Sequence, residues 1–294
     1  MKQAALVYIT GQSNAHAHGR ALAAQDRIER PLNNVFALDR AQNQSLDVQE
    51  LVWSGFTTCG KNLGESQDHT ASLAYHLARR WQRAVDGGAP LPDLYIVQMS
   101  VGSQGIVNGM WNPDWPRGLT PGPLDTVNIS LYPFARHVFP MVPGSIARRG
   151  AEVAATAWHW LGSEQEVWDG AYLRPDTGAR YDAFFDAMLA AVGVGCDVYL
   201  YKLYIQEFCR AHGIPAEATD RVNELLARQC HRHERFHFIA AENSPCWDPG
   251  KPQLGIFAPD NGHYIAAVHQ WFADRFFEEW TPRFAPAPGK EKQV

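Results

Sequence analysis

The chain has 294 residues, 46% of them hydrophobic, and a net charge of −5 from 26 basic and 31 acidic side chains. That composition supports a globular core, shows no basic stripe for nucleic acid, and holds no run near the ~18 apolar residues of a membrane span. Five cysteines, odd in number and without a C-x-x-C pair, argue against a disulfide scaffold; Cys59, Cys196, Cys209, Cys230 and Cys246 read as reduced, mostly buried thiols.

Residues 4–10 are apolar, partly β-branched, and stop at Gly11, which predicts a buried first strand. The run is too short for a signal-peptide core with its cleavage site. The chain as given therefore reads as cytoplasmic, with a phage or virion protein, or a secreted one trimmed of its leader, as the alternatives. Residues 20–59 are polar and mixed, without a period. Residues 70–85 place Leu73, Leu77, Ala78 and Trp81 at helical spacing, and 94–99 reads as a second buried strand. Residues 100–143 are rich in Gly, Pro and Trp and too long for a plain connection; they read as a long loop insertion, either a lid or a homo-oligomer interface. A third strand is predicted over 151–161. A helix follows over 180–192, on Phe184, Phe185, Met188, Leu189 and Val192. Residues 198–205 read as a strand, 215–231 as a helix with Pro215 in its first turn, and 236–241 as a strand. The final helix, 264–280, carries Ile265, Val268, Phe272 and Phe276 on one side, and 284–294 reads as a flexible tail. Strands alternating with helices predict a single α/β domain over residues 1–283, with a parallel sheet covered on both faces. Such sheets carry functional residues beyond the carboxyl ends of their strands.

Two short motifs carry chemistry. Thr10-Gly11-Gln12-Ser13-Asn14 follows the first strand directly, so Ser13 falls on a tight turn at its carboxyl end, where backbone N–H groups can face an oxyanion. Asp260-Asn261-Gly262-His263 precedes the last helix, and an Asp three residues before a His can fold back onto its ring. A serine nucleophile needs a base, and the base needs an orienting carboxylate. Each motif alone has a plain reading: a polar turn after a strand, and a helix cap at Asp260.

Together they resemble the SGNH hydrolases, and more narrowly the sialate O-acetylesterase and family 6 carbohydrate-esterase branch, whose first block reads G-Q-S-N and whose closing block is D-x-x-H. The resemblance implies a flavodoxin-like three-layer α/β/α fold and removal of acetyl groups from sugars without a metal or organic cofactor. It implies Ser13 as nucleophile, His263 as base and Asp260 as its carboxylate, with backbone N–H groups at Ser13 and Gly64 receiving the oxyanion. Gly64, ahead of the 70–85 helix, matches the family's second block. Val101-Gly102-Ser103-Gln104-Gly105-Ile106, then Trp111, stands for the third, G-G-[ST]-x-I…W, with Val101 replacing one Gly and Gly105 inserted; Gly102 and Ser103 complete the oxyanion pocket. Gln12 flanks the nucleophile, and Asn14 braces its turn. A family segment W-x-Q-G-E-S-D is met by Trp160-Leu161-Gly162-Ser163-Glu164-Gln165, with Leu161 where Gln is usual and Ser163 where Glu is usual; Glu164 or Gln165 substitutes after a one-residue shift.

The substrate so implied is a small-molecule or polysaccharide acetyl ester, with no nucleic acid and no membrane. Two rival readings remain: a carbohydrate-binding or virion structural protein on an inactive esterase fold, suggested by the degraded middle motifs, and an esterase or thioesterase for lipid-like acyl chains. Among other residues, His16 and His18, close to Ser13, read as substrate contacts or as exposed loop histidines, the latter being preferred. His231, His233, Glu234 and His237 read as a surface cluster, because a strand begins at Phe236 and breaks the helical spacing of a metal pair. Trp111 and Trp115 read equally as sugar-stacking or as loop anchors, and Trp158, Trp160, Phe184 and Phe185 as core.

Overall fold

A computed structural model describes residues 1–38, 49–59, 63–64, 69–114, 130–249, 256–257, 260 and 262–285. The strands are β1 (Lys2–Gly11), β2 (Val35–Leu38), β3 (Trp53–Gly55), β4 (Leu63–Gly64), β5 (Asp93–Ser100), β6 (Ala151–Leu161), β7 (Asp197–Tyr201) and β8 (Phe236–Ile239). They form one sheet in the order β3-β2-β5-β1-β6-β7-β8, with β4 added on β5. Every described pairing is parallel except β2 with β3 at the edge. β1 lies between β5 and β6, and residues 4–9 have no exposed surface. That is why its sequence is a continuous apolar run and not an alternating one.

The helices are α1 (Leu73–Asp86), α2 (Leu131–Val138), α3 (Val142–Arg148), α4 (Glu164–Trp168), α5 (Thr177–Val192), α6 (Gln206–Ala211), α7 (Glu217–Arg232) and α8 (Ala266–Trp280). Strand alternation sorts the longest of them into two layers. Trp158 and Trp160 of β6 meet Phe185 and Phe184 of α5 at 5.7 and 5.0 Å between ring centroids. His159, between them in sequence, meets Phe276 of α8 at 4.5 Å. α5 and α8 therefore cover opposite faces. α1 joins α8 through Trp81, 5.8 Å from Phe277 and 6.3 Å from Trp280, and starts where Ser72 accepts the Tyr75 N–H. The three-layer α/β arrangement expected from the sequence is present. Among the described residues no helix is long and apolar enough to cross a membrane.

Several local expectations change. Residues 20–59 contain β2 and β3, two short strands whose partners are set by β5 and not by their own pattern. Residues 131–138 and 142–148 are helical although Pro133, Pro140 and Pro143 punctuate them, because each proline sits in a first turn or a 3-10 turn. The strand expected over 198–205 stops at Tyr201; beyond it the Asn223 side chain takes the Leu203 N–H at 2.8 Å and donates to the Leu203 carbonyl at 2.9 Å, replacing the ladder. At the end of the chain Phe284 packs on Trp280 and Trp81, and residues 286–294 lie outside the described residues. From β1 the chain goes to β2 and β5 on one side, then crosses to β6 on the other. β1 is thus the switch point, and the crevice beyond its carboxyl end is where such sheets bind ligands.

Candidate active site

The crevice is built first by the turn after β1. Gly11 has a φ of +137° and passes so close to β6 that an added Cβ would lie 1.9 Å from the Leu161 carbonyl oxygen. The Gln12 N–H donates to that same oxygen at 3.0 Å. The Gln12 carbonyl then accepts from Ala15 N and the Ser13 carbonyl from His18 N, at 2.8 and 3.0 Å, closing a tight turn. Ser13 is left half-buried on its rim.

The second part is the loop before α8. Asp260 does not cap that helix, whose first flanking residue is Ile265. Its Oδ1 accepts the Gly262 and His263 N–H groups, both at 3.0 Å, and its Oδ2 holds His263 Nδ1 at 2.9 Å. Arg20 reaches Asp260 Oδ2 at 3.5 Å. Burial works to raise the Asp260 carboxyl, but the Gly262 N–H and the bonds from His263 outweigh it and hold it below the usual carboxylate range. Burial lowers the His263 ring below the ordinary value of 6.5; Asp260 opposes this, and the charges of His18 and Arg20 add to it. With Nδ1 bonded to a carboxylate, Nε2 is the nitrogen left to take a proton.

Asn14 joins the two loops. Its Nδ2 donates to the Gly262 carbonyl at 3.1 Å and to Glu164 Oε1 at 2.6 Å, and its Oδ1 accepts from Tyr264 N at 3.0 Å. The sequence reading of Asn14 as a brace of its own turn is thus extended: it fastens the first loop to the last. Ser13 and His263 line one cavity of about 300 Å³, together with Gln12, Ser103, Glu164, Gln165, Gly262, Ile205 and the aromatic pair Trp168 and Phe208. Two buried acceptors belong to residues of this wall, Gln12 Oε1 and Glu164 Oε2, and neither has a hydrogen-bond partner among the described residues. Burial raises the Glu164 carboxyl against the pull of Asn14.

The third part is the loop after β5. Ser103 adopts a φ of +57° on the cavity wall. Gly102 precedes it, and its carbonyl accepts from Gln104 Nε2 at 3.2 Å. Gly64 pairs beside Ser100 at the same end of the sheet; it does not line the described cavity. A residue that sequence reasoning passed over supports this loop. Glu166 is fully buried, and its Oε1 accepts from Ile106 N and Val107 N at 2.6 and 3.0 Å. Burial pushes its carboxyl up to about 7. A Cβ at Gly105 would fall 2.2 Å from that oxygen, which explains the extra glycine. No motif announces Glu166, since its partners lie 60 residues away. Trp168, Phe208 and Ile205 were likewise illegible as wall residues, because α4 and α6 are too short to show a period.

Other candidates move. His16 is not exposed: it is buried, with Nδ1 2.9 Å from Ser100 Oγ, and burial drives its pKa down to about 3. His18 is exposed and lies 5.2 Å from the His263 ring. Trp111 is an anchor, fully buried, its Nε1 donating to the Gly11 carbonyl at 2.9 Å; Trp115 lies outside the described residues. Ser163 is buried at a φ of +93° and accepts from Trp160 Nε1 at 3.1 Å, and Glu164 opens α4. His233 faces Asp186 at 3.0 Å and His237 stacks on Tyr199, on different elements, as the break at Phe236 implied. A larger cavity, about 620 Å³, is lined by Tyr75, Arg79, Arg80 and Asp274. Arg79 pairs with Asp26 and Arg80 with Asp274 and Glu278, and it lacks the serine and paired histidine of the smaller one.

No protein-family model matches the chain, and no curated protein matches it. Solved structures do. NanS superposes with a TM-score of 0.55 at 13% identity, over 95% of this chain and 96% of that one. A protein of Arabidopsis thaliana superposes with a TM-score of 0.52 at 13% identity, over 97% of this chain and all of that one. Likeness at this level of identity establishes a shared α/β fold over nearly the whole chain.

Proposed function

We propose that the protein is a serine esterase that removes acetyl or other short acyl groups from a carbohydrate. The observation that carries this reading is the Asp260–His263 hydrogen bond set on the wall of a cavity that also holds Ser13, at the switch point of the sheet. In the reaction His263 Nε2 takes the Ser13 proton as Oγ attacks the ester carbonyl. The oxyanion is received by the backbone N–H of Ser13, with Gly102 and Ser103 beside it. Collapse expels the sugar alcohol, which takes its proton from His263. Water, deprotonated by the same ring, then releases the acid from the acyl-Ser13 ester. Asp260 fixes the tautomer and stabilises the imidazolium.

The carbohydrate side of the proposal rests on the cavity wall. Acceptors at Gln12 and Glu164 without a partner among the described residues suit a donor-rich alcohol such as a sugar better than a hydrocarbon chain. Trp168 is 49% exposed at the rim, 5.4 Å from the Phe208 ring, a face of the kind that stacks on sugar rings. Trp168→Ala is expected to raise KM for an acetylated sugar roughly 10-fold with kcat little changed. Turnover of p-nitrophenyl acetate, which has no sugar ring, stays at the wild-type level; an equal loss on both substrates removes the stacking role.

The test of the reaction itself compares p-nitrophenyl acetate with p-nitrophenyl octanoate across pH. Acetate is expected to be the better substrate. Because burial depresses the His263 ring, the acid limb of kcat/KM is expected below pH 6.5, with a plateau above it. Octanoate preference points to the lipid-acyl reading, a limb centred above pH 6.5 removes His263 as the free base, and no turnover of acetyl sugars by the folded protein leaves a binding protein.

A further inference from the structure

Away from the esterase crevice, Glu29, Cys59 and His69 bring a carboxylate oxygen, a thiol sulfur and an imidazole nitrogen within 4.8 Å of one another. We propose that these three side chains bind a zinc-class divalent ion that clips together the three segments they stand on. Cys59 Sγ lies 3.7 Å from Glu29 Oε2 and 3.9 Å from His69 Nε2. Zinc bonds of ~2.3 Å to sulfur and ~2.0–2.2 Å to nitrogen or oxygen, at tetrahedral angles, separate ligating atoms by about 3.6 Å. The two separations from the sulfur are thus within a few tenths of an ångström of those one ion would set, and the Glu29 oxygen and the His69 nitrogen lie within 4.8 Å of each other.

The surroundings hold the ligands in this state. Thr58 is the hub. Its N–H donates to the Ile28 carbonyl at 3.0 Å, and its own carbonyl accepts the His69 N–H at 2.7 Å. Its Oγ1 accepts the Ile28 N–H at 3.1 Å and donates its single proton to the Ile28 carbonyl at 3.4 Å. Thr58 Oγ1 also lies 3.0 Å from His69 Nδ1, placed to accept the ring proton there in the tautomer that binds an ion. That tautomer leaves the Nε2 lone pair facing Cys59 and Glu29. A ligating histidine whose other nitrogen donates to an oxygen is the usual support of a metal site. Nothing comparable steadies a chance meeting of surface side chains. His69 is also held at a φ of +57°, a left-handed conformation that a histidine keeps only when its neighbours fix it.

The ligand set selects the ion. Thiolate and imidazole favour zinc over magnesium or calcium, which prefer all-oxygen shells. Cys59 and Glu29 are exposed, so a fourth position is open to water. Binding releases the Cys59 proton to solvent, and no electron is transferred. Cys59 and His69 bracket the stretch carrying β4, where Leu63 and Gly64 pair with Met99 and Ser100. An ion at this site would brace Gly64 from both sides in sequence, so the clip bears on the crevice by position and takes no part in ester chemistry.

The experiment titrates the reduced, metal-free protein with cobalt(II) and then zinc. The expected result is a thiolate-to-cobalt charge-transfer band with tetrahedral d–d intensity, saturating at one ion per chain and erased by zinc, together with a rise in the unfolding temperature on zinc addition. Cys59→Ser and His69→Ala abolish the band while keeping the wild-type circular dichroism, and Cys246→Ser leaves it unchanged. Thr58→Val, which keeps every ligand and removes only the oxygen that orients the ring, weakens cobalt binding about 10- to 100-fold. Absence of the band in the folded protein, or a band that survives Cys59→Ser, overturns the proposal. Neither outcome depends on esterase turnover.

Discussion

Ser13→Ala is expected to lower acetyl-ester hydrolysis about ten-thousand- to million-fold while leaving the unfolding curve unchanged. The size of the loss follows from the chemistry: without Oγ no acyl-enzyme forms, and only water attacking beside the oxyanion donors remains. His263→Ala is expected to cost nearly as much, and the double variant no more than either single one, because the two groups act as a unit. Asp260→Asn is expected to fall by about 10⁴, since the amide can present N–H to Nδ1 and turn the ring to the wrong tautomer. The structural cost is small because Ser13 is half-buried and no described bond ends on its hydroxyl, whereas its carbonyl, unchanged in the variant, holds His18 N. A fluorophosphonate is expected to label one residue, Ser13, located by peptide mass spectrometry. Turnover of acetyl esters within tenfold of wild type by Ser13→Ala, or labelling elsewhere, would sink the mechanism.

The second large effect lies two residues away and concerns folding. A methyl group at Gly11 would meet the Leu161 carbonyl oxygen at 1.9 Å and its carbon at 2.5 Å, both backbone atoms of β6 that cannot rotate away. The φ of +137° is itself closed to an L side chain. Gly11→Ala must part β1 from β6 and disturb the Gln12–Leu161 and Trp111–Gly11 hydrogen bonds. A loss of about 4 kcal/mol or more in urea unfolding is expected, or no soluble protein at all. Gly19→Ala provides the comparison: its φ is +71° but nothing lies within 4 Å, so only the left-handed backbone is penalised, by about 1–2 kcal/mol. Equal stability of the two variants would show that the approach of β1 to β6 is not tight.

What the sequence made legible was what short range and periodicity can carry. The run at residues 4–10, the helical spacing of Leu73, Leu77 and Trp81, and the paired motifs at Ser13 and at Asp260 and His263 each state their structure within a few residues. The fold class followed from their alternation. What stayed hidden depends on partners far along the chain. His16 looks like a loop histidine until Ser100, 84 residues on, covers it. Trp111 sits in a Gly- and Pro-rich stretch, and the distant Gly11 carbonyl, Trp160 and Phe184 make it an anchor. β2 and β3 hold three or four residues each, below any window that detects alternation. Glu166 has no motif at all, yet its carboxylate takes two backbone N–H groups of the loop after β5. Ser163 likewise stands at a left-handed backbone position that composition gives no sign of.

The place of β1 at the centre of the sheet has a consequence for biosynthesis. It precedes both of its sheet neighbours in the chain, and β5 and β6 end about 90 and 150 residues later. At ribosomal rates that is roughly 5–30 s during which an apolar segment with two open edges has no native partner. Such a nascent segment is a natural client for holdase chaperones, and the yield of folded protein should depend more on shielding residues 4–9 during translation than on the stability of the finished fold.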